Sequence, residues 1–509
     1  MLQVGKNCSD GPSDVDPELV DSQLRRYLDE RGLLKGANGE PTHWRIGLSK
    51  LSGRGVMASS RIERGELVYR DSALVLGPRC YSKYLPICAS CHSRGCALFP
   101  CDRGCGLPIC SNDCQDGVDH RGECAYLCSL EPDCGPQGWS LDVLRALVPV
   151  RALLLPARLR ELCYSLQCNR SAHEAREVDM LKKTVKGTLS RDDETFMRRV
   201  CNVMDTNAFE SAALHRDSDS TTSLRALFPL GALTNHQCAP NTRHLVDEAG
   251  RLIVYATEDI AEGEEITMAY TEMLWDTTMR RQFLRATKMF SCRCPRCADA
   301  TEFDSFLGAL RCADKDCSGR LLPVAPLAFS SNWTCSKCGT NIKNKQISYI
   351  RAGILAATEE VIYENPRKIL QFVKRELSVL VPKNNCFMLD MMFRVVSLFG
   401  RADGYTWEDL TDEELDVKAE YCKHLVATLD LLKCGGCMKK GLILYELYCT
   451  NAEKRRRMSL KGTNDSKVSE NEVSVCEQEN CIVETVEILK NDVAAPRDYR
   501  ELYAARSSS

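Results

Sequence analysis

Four closely spaced pairs of metal-ligating residues between positions 88 and 124 constrain the fold of this chain more than any other feature of its sequence. A segment of this length cannot build an apolar core of its own, and zinc held by four thiolate or imidazole ligands can replace one. The spacing therefore predicts two zinc sites rather than scattered structural thiols. The predicted ligands are Cys88, Cys91, Cys101, Cys105, Cys110, Cys114, His120 and Cys124.

The chain has 509 residues and 30 cysteines, and 44% of its residues are apolar. This length suggests about three domains or one elaborated enzyme. The first residues contain no apolar segment of the signal-peptide type, and the sequence has no run of about 18 apolar residues. We therefore expect thiols and metal ligands in a reducing compartment, the cytoplasm or the nucleus or both, and no membrane partner. A net charge of −3 argues against direct DNA binding.

A second constraint is the polar stretch from Leu230 to Tyr270. Asn235-His-Gln-Cys-Ala-Pro-Asn241 predicts an irregular turn that exposes backbone donors and acceptors to a ligand, with an ordinary Asx turn as the alternative. A β-branched run from Leu252 to Tyr255 follows as a predicted strand. The stretch ends in Gly263-Glu-Glu-Ile-Thr-Met-Ala-Tyr270.

These motifs resemble the core of SET-domain protein-lysine methyltransferases, and the cysteine cluster resembles a MYND zinc finger. The chain thus resembles the SET and MYND domain-containing (SMYD) family, most of all its arthropod-type members, over roughly residues 43 to 450. The resemblance implies that S-adenosylmethionine is the cofactor and that Tyr270 is catalytic, with its hydroxyl directed at the transferring methyl group. The cofactor-binding residues that it implies are Gly53, Arg54, Gly55, Asn207, Asn235, His236, Tyr270 and Phe290.

Two of these segments are weak signals by themselves. Gly53-Arg-Gly55 is more often a plain turn, although two glycines around one residue also let the backbone approach a ligand closely. Thr206-Asn-Ala-Phe209 resembles the family's cofactor-contacting asparagine followed by an aromatic residue. Both segments gain their meaning from the stretch that ends at Tyr270.

The MYND resemblance implies how the first cluster divides between two metal ions. The first and third pairs would share one zinc ion, and the second and fourth pairs the other. Cys101 lies four residues before Cys105 where the family usually has three, and we assign Cys101 rather than the nearby Cys96 as the ligand. A RING finger uses the same ligand types, but these spacings are too short for it. MYND fingers usually bind peptides, so the resemblance predicts a protein partner.

Two further cysteine groups follow Tyr270. Cys292-Arg-Cys294-Pro-Arg-Cys297 supplies three thiols and lacks a fourth ligand, for which Cys238 of the polar turn is chemically suitable. Such a metal ion would join the segment after the SET core to the cofactor turn. A predicted hairpin separates two more pairs and indicates a zinc ribbon, with free thiols as the alternative. Those pairs are Cys312, Cys317, Cys335 and Cys338, which brings the expectation to three to four structural zinc ions.

One position departs from the family pattern. Relatives tend to have a tyrosine four residues before Cys292, where it lines the channel for the substrate lysine, and this chain has Lys288. A substrate lysine must lose its proton before it attacks the methyl group, because its free pKa is about 10.4. An aromatic channel favours the neutral amine by desolvation, whereas a second cation could favour it by repulsion but packs differently.

The expected fold is a multidomain α+β protein in which a SET-type fold of small β-sheets is split by the MYND finger and a helical insert. Helical periodicity from about residue 344 onward, with a capping box at Thr411 and Glu414, predicts an all-α lobe like tetratricopeptide repeats. The predicted boundaries are 1–43 for an N-terminal extension, 44–87 for the first SET part, 88–124 for the MYND finger, 125–226 for the helical insert, 227–287 for the SET core, 288–340 for the post-SET and ribbon segment, and 341–509 for the C-terminal lobe with a disordered loop near 462–479.

The favoured function is S-adenosylmethionine-dependent methylation of a lysine on a histone or another protein, in gene regulation. The alternative is a zinc-dependent adaptor or transcriptional co-regulator whose SET core is weakly active or inactive. Asn235, His236 and Tyr270 favour the enzyme, and Lys288 leaves the adaptor open.

Overall fold

The chain divides into two compact units in a computed structural model that describes residues 16–35, 42–51, 53–168, 175–214, 221–460 and 480–507. The first unit contains the described residues up to Asn235, together with His244–Thr267 and Asn491–Arg497. The second unit contains the described residues of His236–Arg243 and Met268–Lys490 and those from Asp498 onward. Among the helices of these described parts, none has both the length and the apolar character needed to cross a membrane.

Short strands supply the β-structure. They are β1 (Trp44–Leu48), β2 (Arg54–Ala58), β3 (Leu67–Asp71), β4 (Val75–Gly77), β5 (Phe99–Pro100), β6 (Pro108–Ile109), β7 (Phe209–Leu214), β8 (Thr221–Leu227), β9 (Asn235–His236), β10 (Thr242–Val246), β11 (Leu252–Ala256), β12 (Glu265–Met268), β13 (Leu310–Arg311), β14 (Arg320–Pro323), β15 (Trp333–Cys335) and β16 (Asn341–Ile342). They form small sheets in the orders β1–β2–β12–β9, β10–β11–β3, β4–β8–β7, β5–β6 and β13–β14–β15–β16. Several small sheets in place of one large sheet are what the expected fold class requires.

Helices surround these sheets and make up most of the second unit. They are α1 (Pro17–Asp29), α2 (Asn112–Gln115), α3 (Val118–Ser129), α4 (Leu141–Arg145), α5 (Leu147–Leu153), α6 (Ala157–Ser165), α7 (Arg176–Thr184), α8 (Arg191–Asn207), α9 (Thr277–Thr287), α10 (Pro295–Ala298), α11 (Asn344–Val361), α12 (Pro366–Phe372), α13 (Ser378–Leu380), α14 (Cys386–Leu398), α15 (Asp412–Leu431), α16 (Met438–Leu460) and α17 (Arg497–Ser507). One π-helical turn, Val373–Leu377, joins α12 to α13.

The first strands pair as their alternating sequence predicts. β1 runs antiparallel to β2, with Trp44 opposite Ala58 and Gly47 opposite Gly55. Every residue of β2 is buried, and β12 pairs with its other edge, Ile266 lying opposite Val56. This central position of β2 brings the Gly53–Gly55 segment next to β12, the strand that precedes Tyr270.

The prediction of a wholly helical insert over 125–226 is wrong in its last part. Helices α4–α8 occupy the insert as far as residue 207, but β7 and β8 then form an antiparallel hairpin with Ser211 opposite Leu224. β8 also pairs with β4, where Leu227 lies opposite Val75. Leu224 and Leu227 are fully buried by these pairings. Packing against a strand 150 residues away therefore decides the local structure, which periodicity alone does not reveal.

The helix of the N-terminal extension begins at a clear local signal. Asp16 caps α1 by accepting a hydrogen bond from the Glu18 N–H at 3.0 Å, and Pro17 occupies the first helical position. The buried residues Val20, Leu24 and Leu28 follow at helical spacing. A lone N-terminal helix thus gains its stability from packing within the first unit.

Consecutive helices of the second unit confirm the predicted all-α lobe. The predicted capping box is present at the start of α15: Thr411 Oγ1 accepts from the Glu414 N–H at 3.2 Å, and Glu414 Oε2 accepts from the Thr411 N–H at 2.9 Å. Leu425 of α15, Val395 of α14 and Ile443 of α16 are fully buried in a single apolar core. The predicted disordered loop near 462–479 lies outside the described residues.

Candidate active site and zinc centres

The finger between residues 88 and 124 brings its ligand atoms into two separate groups. Cys88, Cys91, Cys110 and Cys114 form the first group, and their sulfurs all lie within 4.8 Å of one another. Cys110 follows the short β5–β6 hairpin, and its Sγ lies 3.5 Å from Cys91 Sγ and 3.6 Å from Cys114 Sγ. Ser111 caps the α2 turn that carries Cys114. This group joins the first and third pairs of the sequence.

The second group joins the second and fourth pairs. Cys101, Cys105, His120 and Cys124 are all buried, and their ligand atoms also lie within 4.8 Å of one another. His120 and Cys124 lie one turn apart on α3, and His120 Nε2 is 3.4 Å from Cys101 Sγ. Cys96 is exposed and lies outside both groups.

A buried arginine fixes the finger against the rest of the first unit. Arg151 of α5 forms an ion pair with Glu123 of α3 and donates to the carbonyl oxygens of Leu76 at 2.7 Å and Ala89 at 2.8 Å. His92 Nε2 lies 3.0 Å from Arg151 Nη1 and therefore accepts its hydrogen bond as a neutral ring. Burial, with the nearby guanidinium, lowers the pKa of His92 to about 3. Sequence spacing gave no sign of this contact.

A third group of thiols forms around the polar turn in the second unit. Cys238, Cys292, Cys294 and Cys297 are buried with their sulfurs within 4.8 Å of one another. Cys238 Sγ lies 3.5 Å from Cys297 Sγ and 3.9 Å from Cys292 Sγ. The chain therefore brings Cys238 to the three thiols that lacked a fourth partner in the sequence.

Two buried arginines and one glutamate surround this third group, and the sequence gave no signal for them. Arg280 of α9 donates from Nε to Cys238 Sγ at 3.2 Å and from Nη2 to Cys297 Sγ at 3.5 Å. Arg296 donates to the Cys238 carbonyl oxygen at 3.0 Å. Glu302 accepts from both guanidinium groups, at 2.7 Å and 3.2 Å. Positive charge directed at the sulfurs stabilises their thiolate form, which is the form that binds a metal ion.

A fourth group belongs to the four-stranded sheet β13–β14–β15–β16. Cys312 Sγ lies 3.6 Å from Cys338 Sγ, and Cys317 Sγ lies 3.7 Å from Cys335 Sγ. A side chain at Gly319 would collide with Cys335 Sγ, so the turn before β14 needs glycine. The hairpins hold these pairs together, as expected for a ribbon.

All four donor sets fit zinc in their chemistry and dimensions. Four sulfurs bound at about 2.3 Å in a tetrahedron lie about 3.8 Å from one another. The sulfur separations given above run from 3.5 to 3.9 Å, whereas a disulfide would need about 2.05 Å. Each cluster could therefore hold one zinc ion.

Three aromatic rings of the second unit lie together beside the third group. The His236 ring centroid is 5.2 Å from that of Tyr270 and 6.0 Å from that of Phe290. His236 Nδ1 accepts a hydrogen bond from the Tyr270 N–H at 3.0 Å. In the neutral ring Nε2 must then carry the proton, and Nε2 lies 3.2 Å from Cys238 Sγ. His236 thus connects the backbone of Tyr270 to the thiol cluster.

Lys288 lies beside one of these rings, that of Tyr270. Its Nζ is 5.6 Å from the centroid of the Tyr270 ring, which is within the range of a cation–π contact. Lys288 caps the C-terminus of α9, and the next residue, Met289, has a φ of 61°. This left-handed residue turns the chain sharply before Phe290.

The first unit contains the other expected cofactor residues. Asn235 Nδ2 donates to the Arg54 carbonyl oxygen at 2.9 Å and to Glu265 Oε1 at 2.7 Å. Glu265 also accepts from Ser49 Oγ at 2.7 Å. A Cβ at Gly55 would collide with the Glu265 carboxylate, so glycine is required there. Glu265 stands inside the Gly-Glu-Glu motif, and its sequence position could have identified it.

Arg54 has an unusual environment for a guanidinium group. Its side chain is buried and donates from Nη2 to the Ser165 carbonyl oxygen at 2.5 Å. Nη1 is also buried, and among the described residues it has no hydrogen-bond partner. Burial lowers the pKa of Arg54. Gly53 has a φ of 54° and open space around it. A buried cation with an unused donor fits a ligand that carries an anionic group, such as the carboxylate of S-adenosylmethionine.

Asn207 ends α8, and the structure uses its amide group locally. Asn207 Nδ2 donates to the carbonyl oxygens of Gln167 at 2.7 Å and Val203 at 2.8 Å. Phe209 begins β7 and packs edge-on against Phe228 at 5.7 Å between ring centroids. The segment around Asn207 therefore lies at the junction of the helical insert and the hairpin.

Comparison with known proteins identifies the family. The SET domain model matches residues 53–271. SET domain-containing protein SmydA-8, isoform B, of Drosophila melanogaster is 32% identical over 420 residues, which cover 80% of this chain and 91% of that protein. Histone-lysine N-methyltransferase SMYD3 of Mus musculus is 27% identical over 266 residues, 48% of this chain and 59% of that protein. The chain belongs to the SET and MYND domain-containing (SMYD) family, as its motifs indicated.

Among solved structures, the crystal structure of the SET domain of LSMT bound to lysine and AdoHcy aligns with 89% of this chain and 98% of that chain. The alignment has a TM-score of 0.30 and 10% sequence identity. A similarity at this level carries no argument about either fold or site.

Proposed function

We propose that the chain is an S-adenosylmethionine-dependent protein-lysine N-methyltransferase that acts in gene regulation on a histone or another protein. The observation that carries the proposal is the position of Tyr270, held by its backbone N–H to His236, whose ring also lies 6.0 Å from the Phe290 ring. Bound S-adenosylmethionine would supply a methyl group already activated by its sulfonium. Catalysis by the protein is then mainly a matter of alignment.

Three residues of the proposed site have specific roles. Tyr270 is the catalytic residue, because its hydroxyl would lie at the transferring methyl group. Arg54 would use Nη1, which has no hydrogen-bond partner within the described part of the chain, for the cofactor carboxylate, and Gly53 would leave room for the ligand. The proposed cofactor-binding set is Gly53, Arg54, Gly55, Asn207, Asn235, His236, Tyr270 and Phe290.

The substrate is a protein lysine, and its deprotonation depends on the surroundings of Tyr270. The protonated amine has no lone pair and cannot attack the methyl group. Lys288 Nζ, 5.6 Å from the Tyr270 ring centroid, repels a second cation and favours the neutral form of an entering lysine. The same repulsion weakens binding of the protonated substrate.

The zinc ions have structural roles in this proposal. The ligands would be the two finger groups, the Cys238 group and the ribbon group, each of which replaces an apolar core in a short segment. The MYND finger would bind a partner peptide. A chain that depends on so many reduced thiols suits the cytoplasm or the nucleus, and its net charge of −3 argues against direct DNA binding.

A second candidate function rests on Lys288. A cation over the Tyr270 ring takes space that the substrate side chain needs, so the SET core could serve as a scaffold. The protein would then be a zinc-dependent adaptor that recruits partners through its finger and helical lobe.

Calorimetric titration of the zinc-loaded protein with S-adenosylmethionine tests the proposed cofactor site. We expect micromolar binding that Arg54→Gln weakens at least tenfold, because a charged hydrogen bond contributes about 1.5–3 kcal/mol. The matched control is Arg61→Gln: Arg61 lies close by in sequence but is 68% exposed and pairs with Asp259. Absence of binding by a folded, zinc-loaded wild-type protein would leave only the adaptor.

Tyr270→Phe separates the two candidates and does not depend on the Arg54 variant. For the enzyme, methyl transfer from labelled S-adenosylmethionine to a histone mixture or a cell extract falls at least 100-fold, while cofactor binding stays within a few-fold. For the adaptor, no methyl transfer is present in the wild type, and partner capture is unchanged in the variant.

A further inference from the structure

A cavity of about 260 Å³ lies within the second unit. Its walls come from the outer side of α9, the segment between β14 and β15, and one face of α11. Phe329, Trp333, Ile347, Leu355 and Phe387 make much of the lining apolar. The proposed methyl-transfer site does not use this cavity.

The charged groups of the lining all have one sign. Of the 18 residues that line the cavity, two are charged, and both are arginines, Arg281 and Arg351. Asp276, behind the wall, pairs with Arg351 Nη2 at 2.6 Å, and Arg281 has no carboxylate partner among the described residues. The cavity therefore has a positive potential that is suited to an anion.

Arg351 presents an unused donor. Its side chain is 12% exposed, and its second terminal nitrogen, Nη1, is buried without a hydrogen-bond partner among the described residues. Buried polar groups in folded proteins are nearly always satisfied, and a charged donor left alone is costly.

Arg281 is held in place but has no carboxylate partner in the described chain. Its Nε donates to the Cys292 carbonyl oxygen at 3.0 Å, and Nη1 donates to the Pro326 carbonyl oxygen at 3.3 Å. The guanidinium carbon lies 4.6 Å from the centroid of the Phe329 ring. Carbonyl and ring contacts orient the cation without neutralising its charge.

The size and surroundings of the cavity define what can fill it. At about 260 Å³ it is smaller than the 300–1,000 Å³ typical of sites for drug-sized ligands, and it suits one apolar side chain with an adjoining carboxylate. Outside the cavity, α11 continues as an exposed surface with Tyr349 and Ile350, which are 67% and 44% exposed. A longer polypeptide ligand could cover these residues.

We propose that this cavity is a peptide-binding site that takes an apolar side chain adjacent to a carboxylate from a partner protein. The apolar side chain packs against Trp333 and Leu355, and the carboxylate pairs with the Arg281 and Arg351 guanidinium groups that line the cavity. The site recognises a partner independently of methyl transfer, and its tests do not require an active SET domain.

Saturation-transfer NMR and calorimetry with three small probes test the site on the full-length, zinc-loaded protein. N-acetylphenylalanine presents a terminal carboxylate, N-acetyl-Asp-Phe-amide presents a side-chain carboxylate, and N-acetylphenylalaninamide presents neither. We expect at least one acid to bind at least tenfold more tightly than the amide, with affinity that falls as salt rises. The acid that binds better identifies the source of the carboxylate. Equal binding of all three, or none, would overturn the proposal.

Substitutions on exposed positions locate the binding without touching buried contacts. Ala352→Phe fills the cavity from α11 and should abolish binding of the acid, whereas Ile350→Phe, on the opposite side of the same helix and 44% exposed, should leave it unchanged. Gln282→Glu adds a negative charge at the exposed rim without changing the size of the side chain, and it should weaken binding of the acid at least fivefold. Retention of binding in Ala352→Phe would refute the location.

Discussion

The buried arginine beside the Cys238 group allows a quantitative prediction about zinc. Arg280 donates to Cys238 Sγ at 3.2 Å and to Cys297 Sγ at 3.5 Å. A hydrogen bond from a charged donor contributes about 1.5–3 kcal/mol, and the longer contact contributes less. We take about 3 kcal/mol for the two together, which corresponds to about a 100-fold change in zinc affinity. This figure lies at the upper end of the 10–100-fold range typical for groups that support metal ligands.

Arg280→Met removes both bonds to sulfur without leaving Glu302 alone, because Arg296 still donates to that carboxylate at 3.2 Å. Arg280→Lys keeps the charge but not the forked geometry and should give an intermediate loss. Competition with a chromogenic chelator, with zinc counted by mass spectrometry, measures the effect. In Arg280→Met, we expect one of the four zinc ions to be removed at a free chelator concentration about 100-fold lower than the wild type requires.

The control is Arg285→Met on the exposed side of the same helix, where the arginine stacks over Phe329 at 5.5 Å. This variant should release zinc as the wild type does. Circular dichroism at each chelator concentration separates zinc release from unfolding. If Arg280→Met and Arg285→Met give the same release curve, the bonds from Arg280 to sulfur do not stabilise the site.

Three further predictions concern stability and substrate binding. Burial raises the pKa of Asp71 to about 7, whereas its unfolded value is 3.8. Between these two pH values the folded chain keeps a proton that the unfolded chain loses, so the free energy of unfolding falls as the pH rises. As the pH is raised from 5.5 to 8, the free energy of unfolding of Asp71→Asn should therefore rise by about 2 kcal/mol relative to that of the wild type, as measured by denaturant unfolding. Thr411→Ala should lower the free energy of unfolding by about 1 kcal/mol in the same assay, because it removes the N-cap hydrogen bond of α15, whereas Thr411→Ser should lower it hardly at all. Lys288→Gln should lower the KM for a lysine substrate about fivefold, because repulsion between two cations about 6 Å apart in an open site is worth about 1 kcal/mol. An unchanged KM would show that Lys288 lies away from the substrate path.

Sequence reasoning succeeded where the signal is local in the chain. The spacing of the finger cysteines and of the ribbon residues predicted the individual pairs, because each pair is held by one turn or hairpin. The division of the finger pairs between two groups was implied by the MYND resemblance. The capping box at Thr411 and the β1–β2 strands are equally local. Cys238 is the one long-range thiol contact that could be anticipated, since three thiols of a tetrahedral set require a fourth.

The rest depends on contacts between residues far apart in sequence. In the sequence, Arg280 and Arg296 look like ordinary helix residues. Only the structure shows that Glu302 and the thiol group lie next to them. The β7–β8 hairpin was predicted as helix because its pairing with β4 is invisible to periodicity. Arg54 stands in a glycine-rich turn, and only the Ser165 carbonyl oxygen, 111 residues away, reveals that its guanidinium is buried.

The hydrogen bonds of the Asn235–His236 pair change how its importance should be tested. The Asn235 amide donates to the Arg54 carbonyl oxygen and to Glu265, and the His236 ring accepts from the Tyr270 N–H while lying 3.2 Å from Cys238 Sγ. Both side chains therefore build the polar turn and hold it to its neighbours. Replacing either with alanine would leave buried groups unpaired, so lost cofactor binding would report a collapsed turn as readily as a lost contact. Arg54 Nη1 has no hydrogen-bond partner among the residues that the structure describes, and Arg54→Gln is for that reason the sharper test of cofactor recognition.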